Sequence, residues 1–360
     1  MKTREITKRG KKPLYETLYE KIKKDVVSGK IRQGEKLPSK RVFAERLGVS
    51  VITVDAAYRL LIDEGYVYSK ERSGFFVGDA AQGKERTDRI TPTAPTDTVA
   101  AKSDVDFRFS SFSKIMRKVI TDYDRALLIK PPAFGCVELR KALSDYLYRY
   151  RGMDVGYENI IIGSGSEYFY GMIVALFGRD KIYGLEYPSY EKINAVIRTE
   201  GADCEFLKMG KDGILTEELE KTKATVLFVT PFNSYPTGIT ADYRKRIEYV
   251  EWAKKRSGYI VEDDIDSEFA VGAKPVETIY SLDGGKRVIY LNTFSKSIAP
   301  SMRMGYMILP DKLLEEYKQR LGFYSCTVPA FDQYVMAEFI GGGLFERHLN
   351  RIRRKLKEQN

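Results

Sequence analysis

Residues 288–303 are VIYLNTFSKSIAPSMR, an apolar, β-rich run that gives way abruptly to polar residues. Branched and aromatic side chains at residues 288–292 are typical of a buried strand. The same order, an apolar run followed by polar or glycine-rich residues, recurs at 160–166, 226–230 and 259–263. Helical patterns lie between these runs. Strands that alternate with helices predict an α/β domain with a largely parallel sheet.

Polar residues that follow the runs are candidate ligand-binding residues, because open α/β sheets bind ligands at the carboxyl ends of their strands. Backbone amides after the glycine-rich turn at 163–165 open a predicted helix and favour a phosphate, with Thr293 and Arg303 beside it. Lys296 is a Schiff-base candidate, and Asp263 would keep a pyridine nitrogen protonated. The set indicates a site for an aromatic phosphorylated aldehyde.

Three further helices are predicted near the N-terminus. Apolar residues at four-residue spacing indicate a helix from about Leu14 to Gly29. Ser39 is the expected N-cap of a second helix, which ends at Gly48, and Ser50 caps a third. The side chains expected to face inward are Leu14, Leu18, Ile22, Val26, Val42, Phe43, Leu47, Val54, Tyr58 and Leu61. Two helices joined by a short glycine turn have the spacing of a helix-turn-helix.

A basic hairpin is predicted after these helices, from β-rich runs at 66–68 and 75–77 with Lys70 and Arg72 between them. Residues 1–78 hold 18 Lys and Arg against 10 Asp and Glu, whereas the rest of the chain holds 42 against 40. This balance indicates a polyanion-binding module, which we call the head. A solvated charged face is the alternative.

The segment 79–104 contains two prolines and almost no large apolar residue, which predicts a linker. The chain is therefore predicted to consist of a winged helix-turn-helix head at 1–78, this linker, and a larger α/β domain at 105–360, which we call the body.

Composition excludes several classes of function. The chain has 360 residues, a net charge of +10 and no apolar run of the length that a transmembrane helix needs. Residues 1–12 are basic but precede no apolar segment, so no secretory signal is predicted and we expect a cytoplasmic protein without a membrane partner. Cys136, Cys204, Cys326 and the single histidine, His348, have no metal-site spacing, which argues against zinc, disulfides and histidine-dependent nucleophilic catalysis.

The head resembles the GntR-type winged helix-turn-helix, through LPSKRVFAERLGVSVITVDAAYRLLIDEGYV at 37–67 and RSGFFV at 72–77. The resemblance implies that the third helix enters the major groove of double-stranded DNA by its N-terminal end. The DNA-contacting residues that it implies are Ser39, Lys40, Arg41, Ser50, Thr53, Lys70 and Arg72. This family commonly has arginine after the serine that opens the third helix, and Val51 occupies that position here.

The body resembles the aspartate-aminotransferase-type pyridoxal phosphate fold, and the whole chain resembles the MocR/GabR-like regulators, which join that fold to a GntR-type head. The matching segments are GCVELRKALSDYLYRYRG (135–152), EYPSY (186–190), VTPFNSYPTG (229–238), VEDDIDSEF (261–269) and YLNTFSKSIAPSMRMGYMILP (290–310). The resemblance implies pyridoxal 5'-phosphate as cofactor, with Lys296 as the Schiff-base lysine, Asp263 at the pyridine nitrogen and Tyr190 stacked on the ring. The phosphate ligands that it implies are Gly165, Ser166, Thr293 and Arg303.

Three positions depart from the family pattern. Ile265 stands where these regulators usually have a tyrosine whose hydroxyl meets the cofactor's 3-oxygen, a role open to Asn233 or Tyr235. Active aminotransferases have asparagine before Pro-Thr-Gly, whereas this chain has Tyr235, which favours a regulator over a catalyst. Lys192 stands where a relative uses arginine to bind an effector carboxylate.

The sequence ends at Asn360, whereas relatives continue with a small domain that carries an arginine for the effector carboxylate. Either the sequence is truncated or the protein lacks that domain. Residues 331–357 are expected to be a terminal helical segment whose apolar face, including Val335, Phe339 and Phe345, packs against a partner subunit.

These features predict a homodimeric DNA-binding transcription regulator that binds pyridoxal 5'-phosphate and senses the cofactor or an amine or amino-acid effector. Two alternatives remain: an active pyridoxal-phosphate-dependent aminotransferase, and a DNA-binding repressor whose body is a cofactor-free dimerisation domain.

Overall fold

The chain forms two compact units, Met1–Val99 and Ala100–Asn360, in the computed structural model. The residues that the structure describes are 13–71, 73–78, 107, 109–270 and 277–359. The predicted linker therefore lies outside the described residues. In the described part of the chain, no helix is both long and apolar enough to cross a bilayer.

The described part of the head contains three helices and a three-stranded antiparallel sheet. In chain order its elements are α1 (Leu14–Val27), β1 (Lys36–Leu37), α2 (Lys40–Leu47), α3 (Val51–Asp63), β2 (Val67–Lys70) and β3 (Gly74–Val77). β3 lies between β1 and β2, so the predicted hairpin is confirmed and gains one short strand. Ser39 accepts a hydrogen bond from the Val42 amide at 3.4 Å, and Ser50 accepts one from the Thr53 amide at 3.1 Å. Both predicted N-caps are present.

The core of the head contains most of the side chains that were predicted to face inward. Val42 is an exception, because 46% of it is exposed and the prediction for it is wrong. α2 buries Phe43, Ala44 and Leu47, and Val42 lies one position, or about 100°, away from that face. Leu14, the first residue of α1, is also 48% exposed.

The body is an α/β domain built on a seven-stranded sheet. Its strands are β4 (Ile160–Gly163), β5 (Ile182–Tyr187), β6 (Asp203–Lys208), β7 (Val226–Val229), β8 (Tyr259–Asp263), β9 (Val288–Thr293) and β10 (Gly305–Ile308). Its helices are α4 (Phe109–Tyr123), α5 (Val137–Tyr146), α6 (Ser166–Phe177), α7 (Glu191–Thr199), α8 (Thr216–Lys221), α9 (Tyr243–Arg256), α10 (Ile279–Asp283), α11 (Phe294–Ser297), α12 (Asp311–Leu321), α13 (Ala330–Gly341) and α14 (Leu344–Gln359).

The strand order is β4-β10-β9-β8-β7-β5-β6. β10 runs antiparallel to β4 and β9, and the other neighbouring pairs among these strands are parallel. The predicted mostly parallel sheet is thus confirmed. Both faces are covered by apolar layers: Ile160 and Ile162 join one layer, and Ile161 joins the other. Burial on both faces explains why these strands are continuous apolar runs rather than alternating ones.

The terminal segment is helical, as predicted, but its apolar face is not directed at a partner. Val335, Phe339 and Phe345 are each at most 4% exposed, and they belong to the core of the body itself. The ring of Phe339 lies 5.7 Å from that of Phe112, and the ring of Phe345 lies 5.7 Å from that of Phe294. The prediction of a partner-facing surface here is wrong, because α13 and α14 close one layer over the sheet.

Candidate functional site

A cavity of about 540 Å³ lies where the parallel strands end. β8 and β9 end at this edge, and the antiparallel β10 begins at it, which brings Arg303 there from the other strand direction. The cavity is lined by residues that include Ser166, Glu167, Tyr170, Tyr190, Lys192, Asn233, Tyr235, Asp263, Ile265, Asp266, Thr293, Lys296 and Arg303. All the side chains that the sequence suggested for the cofactor therefore share one cavity, and Gly165 adjoins it.

One end of the cavity is suited to an anion. Gly165, with φ +107°, precedes α6, and a Cβ atom there would lie 3.1 Å from Nη2 of Arg303. The hydroxyl of Thr293 is buried and has no hydrogen-bond partner among the described residues. Helix amides, a hydroxyl and a guanidinium thus meet at the start of α6, where the helix dipole favours negative charge.

Glu167 forms ion pairs with two cations at this end of the cavity. Its carboxylate accepts from Arg303 Nη2 at 2.8 Å and from Lys192 Nζ at 2.5 Å. The hydrogen bond from Lys192, aided by the charge of Arg303, lowers the pKa of Glu167. Both cations are about half exposed, so these ion pairs exchange readily with water or with another anion.

A buried carboxylate with one unused oxygen lies at another wall of the cavity. Asp263 ends β8 and is 7% exposed; its Oδ2 accepts a hydrogen bond from the Tyr170 hydroxyl. In the described structure, its Oδ1 is buried without a donor. Burial raises the pKa of Asp263 to about 6, and the hydrogen bond from Tyr170 opposes this rise. Such an oxygen is satisfied best by a cationic N–H donor in the cavity.

The lysine lies in the short helix α11, directly after β9. Lys296 forms an ion pair with Asp266, and about half of its side chain is exposed. Asp266 is buried, and its other oxygen accepts from Nδ2 of Asn233 at 2.7 Å. The primary amine is therefore held at the cavity by the Asp266 carboxylate, which is itself held by Asn233 in the loop after β7.

Aromatic side chains form the outer wall. Tyr190 precedes α7, is 37% exposed, and has its ring centre 6.4 Å from that of Tyr235 in an edge-to-face arrangement. Tyr235 is 70% exposed, whereas Asn233 is bonded to Asp266 inside the site. Ile265 replaces the tyrosine that relatives are expected to direct at the cofactor's 3-oxygen. Of the two candidates for that role, Asn233 is the one held in place by a hydrogen bond.

Sequence reasoning missed Tyr170 and Asp266. Tyr170 lies four residues after Ser166 in α6, so helical spacing places both on one face and would have found it. Asp266 lies in an irregular turn after β8, where no periodicity indicates the direction of a side chain.

The head carries its predicted DNA-contacting residues at the first turns of α2 and α3 and at the end of β2. Arg41 and Lys70 are exposed. Lys40 forms an ion pair with Asp55, and its Nζ lies 5.0 Å from the centre of the Phe75 ring. Arg72 lies outside the described residues.

Each of the two units matches a known protein family. Residues 106–360 match the family described as aminotransferase class I and II, and residues 14–77 match the bacterial regulatory proteins of the gntR family. The chain belongs to the MocR/GabR-like regulators.

Two relatives illustrate how far the similarity extends. This MocR/GabR-like chain is 33% identical to the uncharacterized HTH-type transcriptional regulator YdeL of Bacillus subtilis, over 96% of its own length and 77% of the relative's. It is 28% identical to the probable rhizopine catabolism regulatory protein MocR of Rhizobium meliloti, over 96% and 76%.

A solved structure resembles the body. The kynurenine aminotransferase of Pyrococcus horikoshii, crystallised in complex with PMP, has a TM-score of 0.61 and 27% identity over 69% of this chain. The chain spans 64% of that enzyme's length, which is less than two thirds.

Proposed function

We propose that this chain is a DNA-binding transcription regulator whose body binds pyridoxal 5'-phosphate and responds to the cofactor or to an amine or amino acid. The observation that supports it most directly concerns Asp263, which lines a cavity containing a lysine and whose buried Oδ1 has no donor among the described residues. When bound, the cofactor supplies an aldehyde carbon that condenses with primary amines.

The cavity residues fit this cofactor. Asp263 would hold the proton of the ring nitrogen, because its raised pKa reflects a buried carboxylate that has a hydrogen bond from Tyr170 but no cationic partner among the described residues. Ser166, Thr293 and Arg303 would hold the phosphate together with the amides that follow Gly165. Arg303 would then exchange its bond to the half-buried Glu167 carboxylate for one to a dianion at a helix N-terminus.

The amine of Lys296 would be the cofactor's attachment point. It must lose its proton before it can act as a nucleophile, and Asp266, its ion-pair partner, is positioned to accept that proton from Nζ. Asn233 fixes Asp266 from the opposite side at 2.7 Å, so the carboxylate keeps its orientation while the lysine moves.

The test of cofactor binding is an absorption spectrum of the full chain titrated with pyridoxal 5'-phosphate, followed by borohydride reduction and peptide mapping. We expect a visible band and a modified Lys296. Lys296→Ala should lose the band, whereas Lys192→Ala, which removes the other lysine of the cavity, and Lys254→Ala on α9 should keep it. No band in the unmodified chain would favour the cofactor-free dimerisation domain.

DNA binding by the head is proposed from its charge and its two capped helices. Arg41 is exposed at the first turn of α2, where a phosphate is its expected partner. Arg41→Ala should weaken binding to specific and random duplexes about equally and reduce the salt slope by about one unit. Arg46→Ala, at the other end of α2, is the matched control and should change neither quantity. If the unmodified chain does not bind duplex DNA at low salt, the proposal for the head is wrong.

Coupling between the two units is the remaining part of the proposal. A ligand that displaces Lys296 or Glu167 changes contacts within the cavity, and only such a difference between states can shift DNA affinity. DNA affinity should therefore differ between the chain with and without cofactor, or with and without an added amino acid. Unchanged affinity under all these conditions, and in Lys296→Ala, would leave the body as a scaffold.

We also propose that the chain is a homodimer. Four large apolar side chains within residues 109–129 are exposed by 57% or more: Phe109, Ile120, Leu128 and Ile129. Exposed apolar residues concentrated in one short segment are typical of an interface. Sedimentation should show a dimer, and Leu128→Asp should shift it towards the monomer, whereas Phe323→Asp, at an exposed position after α12, should not.

A further inference from the structure

The first turn of α3 presents apolar side chains to solvent. Ile52 is 80% exposed and Val51 is 45% exposed, although both begin a helix whose opposite face forms the core of the head. Val42, near the start of α2, is 46% exposed as well. An isolated exposed apolar residue needs no explanation, but these lie at the ends of the two helices that form the proposed DNA-binding surface.

The polar side chains of the same turn already have partners inside the helix. Oγ of Ser50 accepts from the Thr53 amide at 3.1 Å, and the two hydroxyl oxygens lie 2.8 Å apart. Thr53 is only half-buried, but its hydroxyl is directed to the cap. Ile52 is consequently the most outward side chain of the turn, with Val51 beside it.

The surroundings of this apolar turn are suited to a polyanion. Arg41 is exposed, and Arg59 on α3 is 75% exposed while paired with Asp55 at 2.9 Å. The N-terminal dipoles of α2 and α3 add positive potential at the same ends. An uncharged hydrophobic partner would form no ion pairs with these arginines, whereas the phosphates of a DNA duplex would.

Within the major groove, the C5-methyl group of thymine is the apolar feature available to such side chains. We propose that Ile52, together with Val51, recognises thymine methyl groups, so that specificity in this chain depends on apolar contact at the first turn of α3. This inference rests on the proposed DNA binding by the head. It predicts that thymines occupy the bases that face the start of α3.

The experiment uses the full chain and a duplex recovered by selection from random-sequence DNA. Each thymine of that duplex is replaced in turn by deoxyuridine, which pairs identically and lacks only the methyl group. At one or more positions, affinity should fall about fourfold, the factor that corresponds to about 0.8 kcal/mol of burial for a methyl-sized group.

Ile52→Ala should bind the thymine duplex more weakly and lose its sensitivity to deoxyuridine at those positions. Leu14→Ala, which alters an exposed apolar side chain on α1, should keep the full sensitivity. A chain that binds the selected duplex but responds less than twofold to every deoxyuridine substitution would overturn the methyl contact and leave DNA binding intact. Absence of any duplex binding at low salt would instead overturn the proposed function of the head. The deoxyuridine series needs no protein variant, so it decides the matter even if Ile52→Ala misfolds.

Discussion

Asp263→Asn should stabilise the cofactor-free body at neutral pH. Burial raises the pKa of Asp263 from its usual 3.8 to about 6, which means that folding disfavours its charged form. The difference is about two pKa units, and each unit corresponds to 1.36 kcal/mol, so the charge costs about 3 kcal/mol of folding free energy above pH 7. Asparagine removes the charge, and its oxygen still accepts from the Tyr170 hydroxyl.

The pH dependence follows from the direction of the shift. Because the pKa of Asp263 is higher in the folded state, the folded state binds more protons between about pH 4 and pH 6, and stability falls as pH rises through that range. Below about pH 3 the carboxyl is mostly neutral in both states. The advantage of Asp263→Asn should therefore be small near pH 4, grow through pH 6 and stay constant above pH 7.

The assay is urea unfolding of the cofactor-free full chain, followed by the fluorescence of Trp252. This is the only tryptophan of the sequence and is 6% exposed in the core of the body, so its signal reports on the body alone. Asp145→Asn, at an exposed position of α5, serves as control. Equal midpoints for Asp263→Asn and the unmodified chain at pH 8, or a gain of the same size at pH 5 and pH 8, would refute the reasoning.

Two other substitutions test the local structure. Gly165→Ala should destabilise the body by about 1–3 kcal/mol in urea unfolding and weaken phosphate binding, because φ +107° is a glycine conformation and the new methyl group would meet the Arg303 guanidinium. Gly171→Ala, inside α6, should instead stabilise the body by about 0.5–1 kcal/mol in the same assay. Ser50→Ala should cost about 1 kcal/mol by removing the N-cap of α3, seen as faster amide hydrogen exchange in that helix, whereas Ser69→Ala in β2 should not change it.

Much of the body could be predicted because most of its strands, the edge strand β4 included, are buried on both faces. The runs at 160–162 and 288–292 are almost purely apolar for that reason, and each is a strand in the structure. β5 is less recognisable, since Gly184 and Glu186 interrupt its apolar pattern. Glu186 is buried and accepts a hydrogen bond from the Ser234 hydroxyl at 2.7 Å, a contact from a distant loop that no local pattern contains.

The candidate site was predictable where strand ends and helix starts determine the position of a side chain. Asp263 and Thr293 end their strands, and Ser166 begins a helix, so the topology alone brings them together. Asp266 belongs to an irregular turn, and its position depends on bonds to Lys296 and Asn233 that exist only in the folded body.

The exposed Val42 and the buried terminal helices have a common explanation. Apolar residues in a helix indicate that part of its surface is buried, but they do not indicate which part of the protein packs against it. Phe339 and Phe345 find rings of their own domain, whereas Val42 lies beside the apolar face of α2 and remains at the surface.

The reversed strand β10 also constrains the order in which the body can fold. Among the described strands β4 pairs only with β10, with Ile160 opposite Ile308, so the first of these strands in the body cannot pair until the last has been made. Closing so long a loop is entropically costly and slow, and it occurs late when a chain emerges from the ribosome in sequence order. Gly163 and the turn that leads into α6 are anchored by this pairing. The anion-binding end of the cavity is therefore among the last parts of the body to form, and a nascent chain acquires it only after residue 308 has been made.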